Sequence, residues 1–439
     1  MIGDRRLLIA LVAGVLPAMA ASAAMAQVAP AGNTPLLIAA ANGNPQLQST
    51  AAYIGVLCPN LPVGTDLRLR CAGALAASAN APALASDALT WITPQELLAQ
   101  SAVVDGAITP GTTAVASRLS ALGHIGRLAL ANRPVLLATT GDTAGLGGAS
   151  AAKLQSFVTV VGGKGDKDTN TYETGYDFDQ RSITVGADYR FSDRFTGGLS
   201  VSYGDTDLKF ERSQGSLKAK TWVGTAYGLW SVTDKVEITG LVAYGKVDYS
   251  GDRTITYVES ATSTINRIAH SSSDGHQWEG TVTAAYAMAA SDGWSMGPSL
   301  SVSARTLHLG AFEETGASGL NLAFAKQSTN SLQVIAGFDV SKAISMSSGI
   351  VSPYARVQGV YETKDNRRDV RIKYVADTTG FFPGIRLTTS APDRTRFLVG
   401  GGLAGQFAGG WSGFVDAETI LGLSDVSGYN LTLGVRKEF

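Results

Sequence analysis

From about residue 153 to the end of the chain, apolar and polar residues alternate with a period of two. In 181–191 (RSITVGADYRF), Ile183, Val185, Ala187, Tyr189 and Phe191 share one face, and Thr184, Gly186, Asp188 and Arg190 share the other. In 195–204 (FTGGLSVSYG), Phe195, Leu199, Val201 and Tyr203 oppose Thr196, Ser200 and Ser202. Near the end, Tyr429, Leu431, Leu433 and Val435 alternate with Asn430, Thr432, Gly434 and Arg436. Successive side chains of a strand point to opposite faces, so each segment predicts a strand with one apolar and one polar face. Twelve such strands are predicted, near 153–162, 181–191, 194–204, 216–231, 235–250, 275–289, 294–308, 329–342, 350–363, 394–407, 411–421 and 428–439. Most exceed the ~5–6 residues of a strand in a globular sheet. They match the roughly 9–11 residues of a tilted strand that crosses a bilayer.

The connections alternate in length. Ser192-Asp193-Arg194, Thr233-Asp234, Ser291-Asp292-Gly293 and Ala408-Gly409-Gly410 are tight turns; 163–180, 205–215, 251–274, 309–328 and 364–393 read as long polar loops. A transmembrane barrel has short turns at one end, long loops at the other and an even strand number. Closure also leaves no strand edge open to lipid. Tyr189, Phe191, Phe195, Trp294, Phe407, Trp411 and Phe439 all lie beside the short turns or the C-terminus, as one interfacial aromatic girdle requires. The predicted fold class is therefore mainly β: a twelve-stranded antiparallel transmembrane β-barrel with a small helical N-terminal segment.

Upstream the texture changes. Residues 1–26 read as a secretory signal, with Arg5 and Arg6, an apolar run Leu7–Leu16, and Ala24-Met25-Ala26 before Gln27. Residues 27–150 are alanine-rich with helical punctuation. Thr93-Pro94-Gln95-Glu96 predicts a helix start with a capping box, Thr65 precedes a second start at Asp66, and 112–122 (TTAVASRLSAL) ends at Gly123, a residue suited to a helix C-terminus. Cys58 and Cys71 are the sole cysteines, and in an exported protein they are expected to pair. The domain reading is thus a signal (1–26), a helical segment (27–150) and a barrel (151–439).

Composition narrows the classes further. Charged residues are 16% of 439, hydrophobic residues 45%, and glycines number 51. Low charge with no apolar run long enough for a membrane helix fits a barrel, in which half of each strand meets lipid. A net charge of -1 argues against nucleic acid as a partner.

With these residues in place, the region 153–439 resembles the autotransporter β-domain, the outer-membrane barrel of type V secretion. The resemblance rests on Tyr176-Asp177-Phe178-Asp179, 185–191 (VGADYRF), 413–419 (GFVDAET) and the ending 431–439 (LTLGVRKEF). It implies that Phe439, Val435, Leu433, Leu431 and Tyr429 form a signal read by the barrel-assembly machinery. Lys437 departs from that pattern on the apolar face, where its head can snorkel at the membrane edge. The order of Cys58, Cys71, Thr93–Glu96 and 116–122 matches a branch with a short N-terminal part. There the last helix, carrying Arg118, Leu119 and Leu122, would sit in the barrel lumen. Unlike most relatives, the chain has no long run of β-helix repeats, and neither a Gly-x-Ser-x-Gly nucleophile motif nor an Asn-Asn cleavage pair.

Strand-interior charges then mark the lumen: Asp188, Arg190, Glu279, Arg356, Glu362, Asp416, Glu418, Arg436 and Glu438. They either hold a helix through Arg118, line a pore, or pair among themselves. His270 and His276 share a predicted loop, more readily read as solvated than as a metal site. The basic run Lys364, Arg367, Arg368, Arg371, Lys373, Arg386 and Arg394 is either a solvated loop or a contact for lipopolysaccharide phosphates. The expected function is translocation or surface display of the short N-terminal segment, with no catalysis and no cofactor. A plugged porin-like channel and a loop-borne adhesin are the alternatives. Expected partners are outer-membrane lipid and lipopolysaccharide, the barrel-assembly machinery and periplasmic chaperones, with the chain a monomer in the outer membrane of a Gram-negative bacterium.

Overall fold

The computed structural model describes residues 32–99, 109–120, 153–289, 292–364, 367–380, 384–391 and 393–439. The signal-like segment 1–26 and Leu122 lie outside them. Twelve long antiparallel strands form a closed barrel: β1 (Leu154–Lys167), β2 (Tyr176–Ser192), β3 (Phe195–Phe210), β4 (Gly215–Ser231), β5 (Val236–Ser260), β6 (Ser263–Tyr286), β7 (Trp294–Leu309), β8 (Gln327–Lys342), β9 (Gly349–Glu362), β10 (Thr395–Phe407), β11 (Trp411–Leu421) and β12 (Val426–Glu438). Each pairs with its chain neighbour. The seam closes where β1 meets β12, in a register from Gln155 opposite Glu438 to Lys167 opposite Val426.

The period of two decides which face is which. Ile183, Val185, Leu199, Val201, Leu431, Leu433 and Val435 are exposed on the outside, while Thr184, Asp188, Ser200, Thr432 and Arg436 are buried within. Aromatic residues ring the outside at two levels. Tyr189, Phe191 and Phe195 stack beside the short turns, with centroids 4.9 and 5.5 Å apart. A second ring lies further up the strands, where Tyr203 meets Trp222 at 5.0 Å and Tyr244 meets Trp278 at 4.7 Å. These two rings bound the lipid band.

The strands do not stop at the second ring. The expected loops 163–180, 205–215 and above all 251–274 are largely strand: β5 has 25 residues and β6 has 24. A strand rises about 3.3 Å per residue, so this hairpin stands well clear of the membrane. The reason is that the alternation persists beyond 250, with Ile255, Tyr257, Ile265 and Ala269 buried on one face.

The helical segment covers that face. It comprises α1 (Thr34–Ala40), α2 (Pro45–Leu57), α3 (Asp66–Asn80) and α4 (Pro82–Ile92), followed by a lone helix α5 at 109–120. Asn44 caps α2, its side chain accepting from the backbone of Gln46 and Leu47, and Pro45 takes the first helical position. Thr65 precedes α3 as expected. The predicted helix start at Thr93-Pro94-Gln95-Glu96 is wrong: α4 ends at Ile92, and Glu96–Ala99 is a single 3-10 turn. Glu96 is instead buried between the helices and the barrel extension, 3.8 Å from a buried arginine, and that tertiary packing overrides the local capping pattern. The disulfide Cys58–Cys71 ties the end of α2 to α3.

The basic run 364–394 is not simply a loop. Asp369–Tyr374 and Ile385–Thr388 join Leu322–Phe324 and Phe312–Glu313 in a small four-stranded sheet. One apolar core unites this sheet, the helices and the β5–β6 extension, through Leu37, Ile54, Leu67, Leu89, Ile255 and Tyr374 among others.

Candidate functional site

The lumen is built in layers. Nearest the short turns, Asp188 of β2 is completely buried and forms an ion pair with Arg118 of α5; Tyr227 of β4 donates its hydroxyl to the same carboxylate. The Arg118 guanidinium also lies 4.0 Å from the ring centroid of Phe157. Val115 and Leu119, before and after it on α5, pack against Phe157, Tyr227 and Leu241. A buried arginine needs a full set of partners, since removing one leaves an uncompensated charge costing ~3–5 kcal/mol. This layer fixes the rotation and depth of α5.

Higher up, the wall facing α5 is lined by small hydroxyl side chains. Thr184 bonds Ser202 at 2.8 Å, Thr281 bonds Ser303 at 2.9 Å and Thr283 bonds Ser301 at 2.8 Å. Their polar groups satisfy one another across strands, and their small size leaves room for a helix. The Thr112 hydroxyl donates to Glu279 at 3.3 Å, and Arg305 donates to Thr109 at 3.4 Å. Glu279 adjoins Trp278 of the upper aromatic ring, whereas Asp188 adjoins Tyr189 of the lower one. The N-terminus of α5 therefore points to the end of the barrel with long strand extensions, and its C-terminal half lies near the short-turn end.

The other predicted lumen charges serve the wall. Arg356 donates to Asp416 at 2.5 and 2.8 Å and to Glu418 at 2.8 Å, while Tyr354 donates to Asp416 at 2.8 Å. A cavity of about 160 Å³ separates this cluster from Leu119 and Ser120 of α5. Arg436 pairs with Glu438 on β12, and Arg190 lies half-buried on the inner face of β2. Glu362 does not hold α5: it accepts from Ser331 at 2.5 Å and from the backbone of Leu332 and Lys364 at 3.0 and 2.9 Å, tying β9 to β8. On the outer face, Tyr429, Leu431, Leu433, Val435 and Phe439 are exposed where lipid would lie. Lys437 turns away from that band, its ammonium 5.1 Å from the Trp411 ring centroid and bonded to the carbonyl of Gly409.

Above α5 the lumen narrows to an apolar collar of Leu208, Phe210, Leu217, Val247, Tyr249 and Leu309, into which Ala99 inserts. Beyond the collar the helices dock through charge. Asp66 takes both prongs of Arg267, at 2.5 and 2.8 Å, and accepts from the Gly319 backbone at 2.9 Å. Arg267 holds the Asp66 carboxyl below the usual carboxylate range. Arg70 pairs with Glu259. Arg253, almost wholly buried, binds Glu314 at 2.9 and 2.6 Å, and Glu96 approaches it at 3.8 Å. Burial dominates at Glu96 and pushes its carboxyl up to about 8, against the opposing pull of Arg253. On the small sheet, Gln46 exchanges bonds with Thr388 at 2.5 and 3.1 Å, and Ser49 exchanges bonds with Arg386 at 2.8 and 3.3 Å.

The sequence reading found Asp188 and Arg118 but missed Phe157, Tyr227, Arg253 and Glu314. Continued alternation through 247–257 was the available signal for Arg253. His270 and His276 are also not loop residues. His270 bonds Asp252 at 2.7 Å, and His276 stacks on His308 across two strands, with centroids 5.0 Å apart.

The chain is similar to known proteins. A family model described as Autotransporter beta-domain matches residues 156–418. The translocator domain of autotransporter NalP from Neisseria meningitidis superposes with a TM-score of 0.52 at 16% identity, covering 73% of this chain and 98% of that one. The beta domain of the Bordetella autotransporter Brka gives 0.45 at 14% identity, over 65% of this chain and 100% of that one. In sequence, Lipase 1 of Photorhabdus luminescens is 26% identical over 204 residues, 46% of this chain and 30% of that protein. The chain thus spans under a third of the length of that curated relative. A barrel of twelve strands closed between β1 and β12, matched by the family over more than half its residues, establishes that this chain belongs to the autotransporters and that its barrel is an integral outer-membrane translocator domain.

Proposed function

We propose that the barrel carries its own N-terminal segment across the outer membrane and then keeps it docked at the surface as a folded cap. One observation carries the reading: α5 lies in the lumen with its N-terminus toward the extended end, and residues 33–99 pack on the strands beyond that end. In such barrels the short turns face the periplasm, so the extended end is the cell exterior. The chain then passes through the lumen once, and the cap is outside. The signal-like residues 1–26 supply export to the periplasm, and the C-terminal residues Tyr429–Phe439 supply recognition by the barrel-assembly machinery.

In this reading the cap is structural and performs no hydrolysis. Buried or half-buried hydroxyls of its helices donate to backbone carbonyls instead of a general base: Ser78 to Leu75 at 2.8 Å and Thr90 to Ser86 at 2.9 Å. The apolar collar with Ala99 in it also argues against an open pore.

The test is an epitope inserted after Pro62, beside fully exposed Val63, compared with one inserted at Gly409 in a short turn. Antibody should label the first on intact cells and the second only after permeabilisation. Labelling of the first only after permeabilisation would overturn the reading.

A further inference from the structure

Just above the upper aromatic ring, on the outer face, three basic side chains stand side by side on consecutive strands. Lys246 of β5 pairs in register with His276 of β6, and His276 pairs with His308 of β7. Their parity is that of lipid-facing residues: Lys246 follows Val242, His276 precedes Trp278 and Val282, and His308 follows Leu300 and Val302, all exposed. The imidazoles stack with centroids 5.0 Å apart and planes 13° from parallel, and Tyr244 lies 6.2 Å from His276. Neighbouring strands are about 4.8 Å apart, so the row spans roughly 10 Å, the scale of one phosphorylated headgroup.

Several other basic residues on the strands above the ring are paired with carboxylates. Lys164 pairs with Asp179 at 3.0 Å, Lys218 with Asp207 at 3.6 Å, and His270 with Asp252 at 2.7 Å. Lys246 forms no ion pair among the described residues. The carboxylates nearest the row in register, Asp248 and Asp274, stand one step further from the membrane, and Asp248 faces Lys220 across the β4–β5 ladder. Trp222 sits opposite Lys246 in that ladder, and Tyr244 and Trp278 form a shelf below. An aromatic shelf at the edge of the hydrocarbon, surmounted by a basic row, is suited to a lipid whose acyl chains lie below and whose phosphate lies above.

We propose that Lys246, His276 and His308 form a binding site for the phosphate of an outer-leaflet lipid, the phosphorylated glucosamine lipid of the bacterial surface. The phosphate accepts from the Lys246 ammonium and from one nitrogen of each imidazole. Tyr244, Lys246, Asp248 and Asp274 are the charged or titratable groups that face the two rings. The site rests on the outer-membrane reading above, because it needs this height to be the outer leaflet.

The experiment uses the full chain in nanodiscs containing phosphatidylcholine and bisphosphorylated lipid A, with retained lipid counted by native mass spectrometry. Wild type should retain one lipid A, and the triple variant K246Q/H276Q/H308Q should retain at least ten-fold less. K218Q, in a residue already paired with Asp207, should match wild type. Equal retention by the triple variant and wild type overturns the inference, as does equal retention of dephosphorylated lipid A. Displacement by millimolar inorganic phosphate would reassign the site to the free anion. Heat-modifiable gel mobility is recorded for every variant. A variant without it indicts the barrel, whereas a heat-modifiable triple variant with undiminished retention indicts only the site.

Discussion

Glu96→Gln tests how the cap is held. Glu96 is fully buried beside Arg253, whose charge is already matched bidentately by Glu314. Burial raises the Glu96 carboxyl from 4.5 to about 8 in the folded protein. A raised folded value means that the docked state binds a proton the undocked state has released between those limits. The contribution to docking is complete below about pH 4.5 and is lost progressively as the pH rises to about 8. At ~1.36 kcal/mol per pH unit, the whole interval is worth on the order of 5 kcal/mol, an upper bound because water entry relaxes the site. Glutamine mimics the protonated acid and removes this dependence. Pulse proteolysis of the cap in urea, on full-length protein in detergent micelles, reads the docking free energy. Wild type and Glu96→Gln should coincide at pH 5, and the variant should be the more resistant at pH 8. Glu314→Gln should lose roughly 3–5 kcal/mol at both pH values, because it strips Arg253 of its partner. Parallel pH profiles for wild type and Glu96→Gln, or a Gln variant weaker at pH 8, would refute the reasoning.

Asp188→Asn should release α5 at a cost of about 3–5 kcal/mol by stranding Arg118, read as new proteolytic cleavage within 109–120 in detergent micelles; a variant as resistant as wild type would show that the helix is held by other contacts. Reducing Cys58–Cys71, or replacing both residues by serine, should cost the cap about 3 kcal/mol in the same proteolysis assay and leave the barrel's heat-modifiability unchanged. Asp66→Asn should weaken docking at neutral pH and match wild type at low pH, because a carboxyl held below its usual range by Arg267 loses its contribution as the pH falls. Leu433→Arg, on the lipid face, should lower the barrel's unfolding free energy by ~2–4 kcal/mol at mid-membrane depth, measured by urea titration in bilayers.

The barrel was readable because lipid imposes one rule on every crossing strand. The faces of β2, β3 and β12 came out residue by residue, and the short turns at Asp193, Asp234 and Gly409 lie where expected. The lower aromatic ring was legible because its residues sit beside those turns. The upper ring was missed because Trp222, Tyr244 and Trp278 lie in mid-segment, where no turn marks them. Polarity misled the reading at 251–274: Ser271, Ser272, Ser273 and Asp274 resemble a loop, yet their backbones complete the β5–β6 ladder. Glu96 misled it differently. A capping box is worth about 1 kcal/mol, too little to compete with the packing that buries Glu96 beside an arginine 157 residues away. Arg118 was found through the family's order of motifs. Its partners on β1 and β4 carry no local signal, because an inward Phe157 or Tyr227 looks like any other strand residue.

The seat of α5 has a consequence for the order of assembly. Its ionic and aromatic partners are Phe157, Asp188 and Tyr227, on β1, β2 and β4. All lie within about 110 residues downstream of Arg118. The seam, by contrast, joins Gln155 to Glu438 and closes a loop of more than 280 residues. Loop-closure entropy makes the near contacts available first. A curved sheet of four strands therefore supplies the helix's ionic and aromatic seat while the remaining eight are still unpaired, and Leu241, Glu279 and Arg305 add to it from β5, β6 and β7. The last hairpin then folds over an occupied trough, and the hydrophobic effect never has to drive a polypeptide into a finished tube.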